Sequence, residues 1–214
     1  MLNHCGAKCG ISLPSGLSIV TFAHEGRAER EYSLPRQLWN NNILFTNAAI
    51  GHGDGHWEHI VKIGHALCAI RNARTPYILI CDAKDVAVQS LEGIVERLAM
   101  TGLGVLYNAT SSRWVDEEIE TMRDEEKMGN YKFLNAGVCI GRKDALFDFY
   151  GAVYEELRVD RYGDFSEQAY VRKAFDSRQD YVGIDHGRKL FQVVSHSAYY
   201  TTRLSFENDA IIIW

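Results

Sequence analysis

Two carboxylates three residues apart, Asp82 and Asp85, directly follow the apolar run Tyr77–Cys81 in the segment YILICDAKD. A chain that leaves a buried strand here can turn both carboxylates toward one point. Hard cations such as Mg²⁺ or Mn²⁺ take oxygen ligands, often one or two carboxylates together with phosphate oxygens. The spacing therefore suits a metal–diphosphate site, and it suits equally well two Asp that cap a turn. A second stretch, Phe133-Leu134-Asn135-Ala136-Gly137, sets an Asn beside small residues just ahead of the strand pattern Val138–Ile140. Backbone can approach a ligand closely at such a place, although a plain β-turn is the simpler local reading. A third, Ser166-Glu167-Gln168, opens a helical pattern after Gly163-Asp164. Polar side chains at a helix start can meet a polar substrate, yet Asp164 and Glu167 also fit a capping box, and local spacing favours the cap.

Two denser clusters stand beside these. His52, Asp54, His56, Glu58 and His59 crowd around Gly53 and Gly55, a composition that a hydrolase metal site can use and that a flexible Gly loop also explains. Lys62, one turn into the helix that follows, can reach a phosphate as a point charge, while a solvated surface Lys is the commoner fate. Ile184-Asp185-His186-Gly187-Arg188-Lys189 packs charges between two strand patterns, as an anion site or as a solvated hairpin. Near the start, Cys5 and Cys9 sit beside His4, but three ligands fall short of a structural zinc set and a loose tail is favoured. Cys68, Cys81 and Cys139 fall in helix and strand patterns and read as buried small hydrophobes.

The elements that must position these residues follow from periodicity. Leu17–Ala23 and Tyr77–Cys81 are near-continuous apolar runs, the mark of strands covered on both faces. Shorter strand patterns lie at Ile43–Thr46, Leu103–Tyr107, Val138–Ile140, Tyr181–Ile184, Leu190–Val194 and Ala210–Trp214. Helices are expected around Arg36–Asn40, over Glu58–Arg74 with a stripe of Ile60, Ile63, Leu67 and Ile70, and over Leu91–Met100, Lys143–Leu157 and Phe165–Phe175. Ser111–Asn130 is polar and acidic without a clean strand period. Strands alternating with helices imply an α/β three-layer sandwich with a mostly parallel, Rossmann-like sheet, whose ligands sit at the carboxyl ends of the strands. With 214 residues the chain has room for one domain, residues 16–214, after an N-terminal tail of residues 1–15. Hydrophobic residues at 46% and charged residues at 24% exclude global disorder. A net charge of −5 argues against a nucleic-acid partner. No apolar run has the length of a transmembrane segment, and the opening residues lack the apolar core of a secretory signal, so a cytoplasmic location is expected.

In chain order, LSIVTFA, a Gly-rich loop ahead of the Lys62 helix, YILICDAKDV, YKFLNAGVCIGR, SEQAYV and IDHGRKLFQ resemble the glycosyltransferase domain of the procollagen lysyl hydroxylase and collagen galactosyltransferase group, over about residues 17 to 214. The resemblance implies a GT-A fold and a glycosyltransferase that takes a hexose from a nucleotide-diphosphate sugar, in that group a UDP-sugar such as UDP-glucose or UDP-galactose, to a hydroxyl of a glycan or protein. It implies Mn²⁺ (or Mg²⁺) held by Asp82 and Asp85. Thr21, Ala23, Trp57, Lys62 and Lys84 would line the nucleotide and phosphates, and Asn135, Ala136, Gly137 and Asp185 the donor sugar side. Glu167 and Gln168 would face the donor sugar or the acceptor as the catalytic pair, with Glu167 the general base of an inverting reaction. In a retaining reaction the leaving diphosphate can assist instead.

Two departures from the family pattern stand out. Ser166 replaces the first Asp of the D-D-Q element. The late H-x-N-G segment that supplies a metal-binding His is missing before Trp214, which points to a chain truncated there, to His186 or His196 in its place, or to a site with two protein ligands completed by water. Two other functions fit parts of the sequence. One is a non-catalytic relative that binds sugar nucleotides or glycans. The other is a metal hydrolase built on the His52–His59 cluster, which predicts tight zinc binding.

Overall fold

The computed structural model describes residues 11–23, 33–49, 60–84, 86–110, 133–159, 166–192 and 212–213. The sequence-predicted features at Cys5 and Cys9, at His52–His59 including Trp57, at Asp85, at Ser111–Asn130 and at His196 lie outside these residues.

Nine strands and five helices follow one another along the described residues: β1 (Leu17–Thr21), α1 (Ser33–Asn40), β2 (Thr46–Asn47), α2 (Val61–Asn72), β3 (Tyr77–Cys81), β4 (Ala87–Val88), α3 (Ile94–Thr101), β5 (Val105–Thr110), β6 (Phe133–Arg142), α4 (Lys143–Val159), α5 (Glu167–Asp176), β7 (Val182–Ile184), β8 (Phe191–Gln192) and β9 (Ile212–Ile213). Six strands form the central sheet in the order β2-β1-β3-β6-β5-β7. The β1–β2, β1–β3 and β5–β7 pairings are parallel, and β6 is antiparallel to both its neighbours. The sheet is thus mostly parallel with one reversed strand near its centre.

Alternation along the strands divides the apolar residues between two faces. On one face Val20, Ile80, Tyr107 and Cys139 pack with Ile63, Ala66 and Ile70 of α2, Leu146, Phe149 and Val153 of α4, and Tyr170, Val171 and Ala174 of α5. On the other, Ile19, Leu79, Leu106 and Ile140 pack with Leu34 and Leu38 of α1 and with Ile94 and Leu98 of α3. Helices on both faces make the three-layer α/β sandwich that the alternation of patterns predicts. The C-terminal strand does not join this sheet. It lies between β4 and β8 in a separate three-stranded sheet, order β4-β9-β8, whose Val88 and Phe191 belong to the second core.

Two elements differ from expectation in ways that matter for the site. The strand expected over Val138–Ile140 is ten residues long and includes the whole FLNAG stretch, which is therefore no turn. β5 likewise continues past Tyr107 through Asn108, Ala109 and Thr110, all buried. Polar residues inside a strand hide it from an apolar-pattern search, and pairing with β6 overrides the weak local signal. Cys68 also departs: it is exposed on α2, whereas Cys81 and Cys139 are buried as expected. Burial pushes the Cys81 thiol well up and the Cys139 thiol up to about 12, so both stay protonated.

Gly141, the last Gly of the FLNAGVCIG run, has a packing role. A Cβ there would lie 2.8 Å from Leu146 Cγ and 2.9 Å from the Gly104 carbonyl oxygen. Gly141→Ala is expected to destabilise the fold by about 2 kcal/mol through overpacking. In a chain of this size that lowers Tm by roughly 4–8 °C, read by thermal denaturation.

Candidate active site

The reversed direction of β6 decides which residues meet. For parallel strands the ligand edge of the sheet holds their carboxyl ends. An antiparallel strand brings its beginning to that same edge. Phe133–Gly137, the first half of β6, therefore lies beside the ends of β3 and β5, where Asp82 and Asn108 stand. The starts of α2 and α5, with Lys62 and Glu167, complete the group.

At the centre is Lys62. Its ammonium donates to Asp82 Oδ1 at 2.5 Å and to Glu167 Oε1 at 2.8 Å. It also lies 5.3 Å from the Phe22 ring centroid. The Lys62 side chain is 5% exposed, against 30% for Asp82 and 11% for Glu167. Burial by itself would drive the Lys62 pKa down. The negative charges of Asp82 and then Glu167, with a smaller effect of Tyr150, outweigh it and hold the ammonium well above the usual lysine range. A raised lysine pKa means that its stabilising contribution is complete below the unfolded value, about 10.4, and fades only as pH rises through the folded one.

The site thus corrects one local reading and extends another. Lys62 is no solvated surface lysine, because two carboxylates from distant elements compensate its burial. Glu167 opens α5, where Ser166 is the N-cap residue, in an extended conformation with no side-chain cap bond, and the Glu167 carboxylate reaches Lys62. Asp164, the other half of the expected capping box, lies outside the described residues.

The β6 strand is shaped at the same place. β5 and β6 pair Tyr107 with Cys139, then Asn108 with Asn135, so Ala136, Gly137 and Val138 bow away from β5. Side chains hold this bulge open. Asn135 Oδ1 accepts from the Gly137 N–H at 2.8 Å. Gln168 Oε1 accepts from the Ala136 N–H at 2.7 Å, and Gln168 Nε2 donates to the Leu134 carbonyl. Arg172 Nη2 donates to the same carbonyl at 3.3 Å. On the other side the Asp82 N–H donates to the Gly137 carbonyl at 2.8 Å. Bulges re-aim side chains and recur next to active sites.

The remaining expected residues divide into those at this edge and those engaged elsewhere. Thr21 ends β1, buried, with no hydrogen-bond partner for its hydroxyl among the described residues. Ala23 is clamped by Asn47, whose amide accepts from the Ala23 N–H and donates to its carbonyl, both at 2.9 Å. Lys84 is exposed just after Asp82. Gln168 spends its amide on the β6 backbone, which makes it a positioning residue for Asn135, Ala136 and Gly137. Asp185 is buried and accepts from three backbone N–H groups: Lys189 at 3.0 Å, Leu190 at 2.6 Å and Phe191 at 2.9 Å. The segment expected as an anion site or solvated hairpin is thus a loop folded around one carboxylate.

Three residues at this edge escaped the motif search. Asn47 and Arg172 act through backbone that is remote in sequence. Asn108 is fully buried, with neither amide atom bonded among the described residues, and stands where the β5–β6 pairing jumps. Its only signal was a polar residue interrupting the run LYNAT.

A hard divalent cation fits Asp82 by donor chemistry, carboxylate oxygens, and by reach, since nearly a third of that side chain is exposed at the sheet edge. Among the described residues no group of three or more His, Cys, Asp or Glu is arranged to hold a metal. Asp85 lies outside them.

No protein-family model matches the chain, and no curated protein matches it in sequence. Its structure is similar to a solved one described as the crystal structure of a glycosyltransferase involved in the glycosylation of the major capsid of PBCV-1. Identity is 16%, the TM-score is 0.59, and 92% of each chain is covered. At that identity the likeness establishes the fold, a GT-A-like sandwich, and no subfamily. Among the described residues no helix is long and apolar enough to cross a membrane.

Gln168→Leu is expected to leave the Ala136 N–H without its acceptor and the Leu134 carbonyl with Arg172 alone. The cost is about 2 kcal/mol, seen as a Tm lower by roughly 4–8 °C with unchanged far-UV circular dichroism.

Proposed function

We propose that the chain is a glycosyltransferase that moves a hexose from a nucleotide-diphosphate sugar, a UDP-sugar such as UDP-glucose or UDP-galactose, to a hydroxyl of a glycan or protein. One observation carries this reading. A carboxylate at the end of β3 and another at the start of α5 converge on a single buried cation at the ligand edge of a glycosyltransferase-like sheet. Donor and acceptor chemistry need such a meeting of elements, because two reactants must be held together with their reacting atoms aligned.

In the transfer the acceptor hydroxyl oxygen forms a bond to the anomeric carbon. The bond from that carbon to the diphosphate oxygen breaks, and its electron pair leaves with the nucleotide diphosphate. The hydroxyl proton passes to Glu167 in an inverting reaction, or to the leaving diphosphate in a retaining one. Lys62 keeps the Glu167 carboxylate at the site and offers positive charge to the phosphates. Lys84 adds a second cation at the mouth. Asn135, Ala136 and Gly137 present backbone and a short polar side chain to the sugar, with Gln168 fixing their shape. Thr21 at the end of β1 and Ala23 just beyond it line the nucleotide. Asp82 would hold Mn²⁺ or Mg²⁺, with Asp85 and Trp57 as further donor-side residues, and the ion supplies neutralisation of the leaving diphosphate when bound.

Calorimetric titration of UDP in the presence of Mn²⁺, then in EDTA, tests the donor site. Wild type is expected to bind UDP in Mn²⁺, with affinity reduced at least about tenfold by EDTA, the size of an ordinary coupling between two sites. Asp82→Asn is expected to bind UDP weakly under both conditions. No UDP binding by wild type under any metal would refute the UDP-sugar donor.

A further inference from the structure

We propose that Lys62 is a built-in counter-ion that bars a lone divalent cation from Asp82 and makes the metal and the nucleotide diphosphate bind as a coupled pair. This rests on the donor site proposed above and concerns how that site is loaded.

The observation is the placement of the charge. The Lys62 ammonium bonds Asp82 at 2.5 Å and Glu167 at 2.8 Å while 5% exposed. A charge so little exposed is poorly screened by water or salt. A divalent cation arriving alone at Asp82 meets this ammonium within a few ångströms, and like charges at that range repel strongly where the effective dielectric is low. Moving Lys62 aside breaks two ion pairs at once, to Asp82 and to Glu167, which is costly for a charge at that depth. Metal binding without nucleotide is therefore opposed in either arrangement.

A diphosphate removes both obstacles. Its oxygens supply ligands to the metal and anionic partners to the ammonium, so the two cations share one polyanion instead of competing for one carboxylate. The coupling is reciprocal. By whatever factor the diphosphate tightens the metal, the metal tightens the diphosphate. Glu167 shares Lys62 with Asp82, so the same ammonium ties the donor edge to the residue proposed to receive the acceptor proton. Lys62 acts here as a positioning residue, through charge.

The test counts free Mn²⁺ by its electron paramagnetic resonance signal, with the metal alone and then with saturating UDP. The proteins are wild type, Lys62→Met and Lys62→Arg. Met keeps the length and suits the contact with the Phe22 ring but removes the charge. Arg keeps the charge. Wild type is expected to bind Mn²⁺ at least about tenfold more tightly with UDP than without, within the usual range of coupling between sites. Lys62→Met is expected to bind Mn²⁺ alone at least about tenfold more tightly than wild type and to lose most of the UDP effect, whereas Lys62→Arg keeps the wild-type pattern. Equal Mn²⁺ affinity in wild type with and without UDP would overturn the proposal. So would a Lys62→Met variant, folded by thermal melt, that takes Mn²⁺ no more tightly than wild type. If that variant does not fold, the wild-type comparison decides. Wild type that binds no UDP would refute the donor site itself. Wild type that binds UDP and takes Mn²⁺ without coupling would leave the nucleotide site standing and refute the loading order, together with the EDTA effect expected above.

Discussion

Lys62 is 4% exposed, and a charge at that depth has to be met by anions from the protein. The two that meet it are 20 and 105 residues away in sequence. Asp82 ends β3 and Glu167 begins α5, so the ion pairs join the helix that precedes β3, the strand itself and the helix that follows β6 and α4. The neighbour of Glu167, Gln168, pins the β6 bulge, and the Asp82 N–H pins the same bulge from the other side. Lys62, Glu167, Gln168, Ala136, Gly137 and Asp82 thus form a closed polar ring at the ligand edge. Moving one member strains the rest, and that is how a site assembled from four elements keeps one geometry.

Side-chain amides recur as clamps on backbone that the sheet leaves unpaired. Asn47 holds Ala23 beyond the end of β1. Gln168 holds Leu134 and Ala136 within the β6 bulge. Gln37 on α1 accepts from the Val88 N–H at 2.8 Å and donates to the Val88 carbonyl, fixing the small sheet to the second core. Each amide offers a donor and an acceptor side by side and so replaces a missing strand partner. Buried backbone groups are nearly always paired, and at the edge of a sheet that opens toward a ligand these clamps do the pairing without closing the opening. Asp185 solves the same problem with a carboxylate, gathering the N–H groups of Lys189 and Leu190 before β8 and of Phe191 at its start.

Much of the architecture was legible from periodicity. The run YILIC predicted β3 residue for residue, because a strand covered on both faces must be apolar throughout. The stripe of Ile60, Ile63, Leu67 and Ile70 predicts α2; Ile63 and Ile70 are buried on it, and Ile60 and Leu67 are partly buried against the same core. Asp82 drew notice because a carboxylate at the end of such a strand faces the ligand edge. FLNAG stands out for its composition, but its place inside a strand does not follow from it, since Asn, Ala and Gly are poor strand formers and β6 forms there through its pairing with β5.

What the sequence alone determined is therefore the class of fold, the sites of the covered strands and helices, and the presence of Asp, Lys, Glu and Asn at element ends. These follow from local hydrophobic spacing, which acts over a few residues. Tertiary structure decided that β6 runs backward, which carries its first half to the ligand edge. It also decided that Lys62 is buried and bridges Asp82 and Glu167, that Glu167 serves an ion pair, and that Gln168 and Asp185 hold backbone. Each of these is a choice of partner between residues far apart in the chain. Local spacing is silent on such choices, because the free energy that settles them, the cost of burying an unmet charge or an unpaired N–H, arises only when distant elements come together.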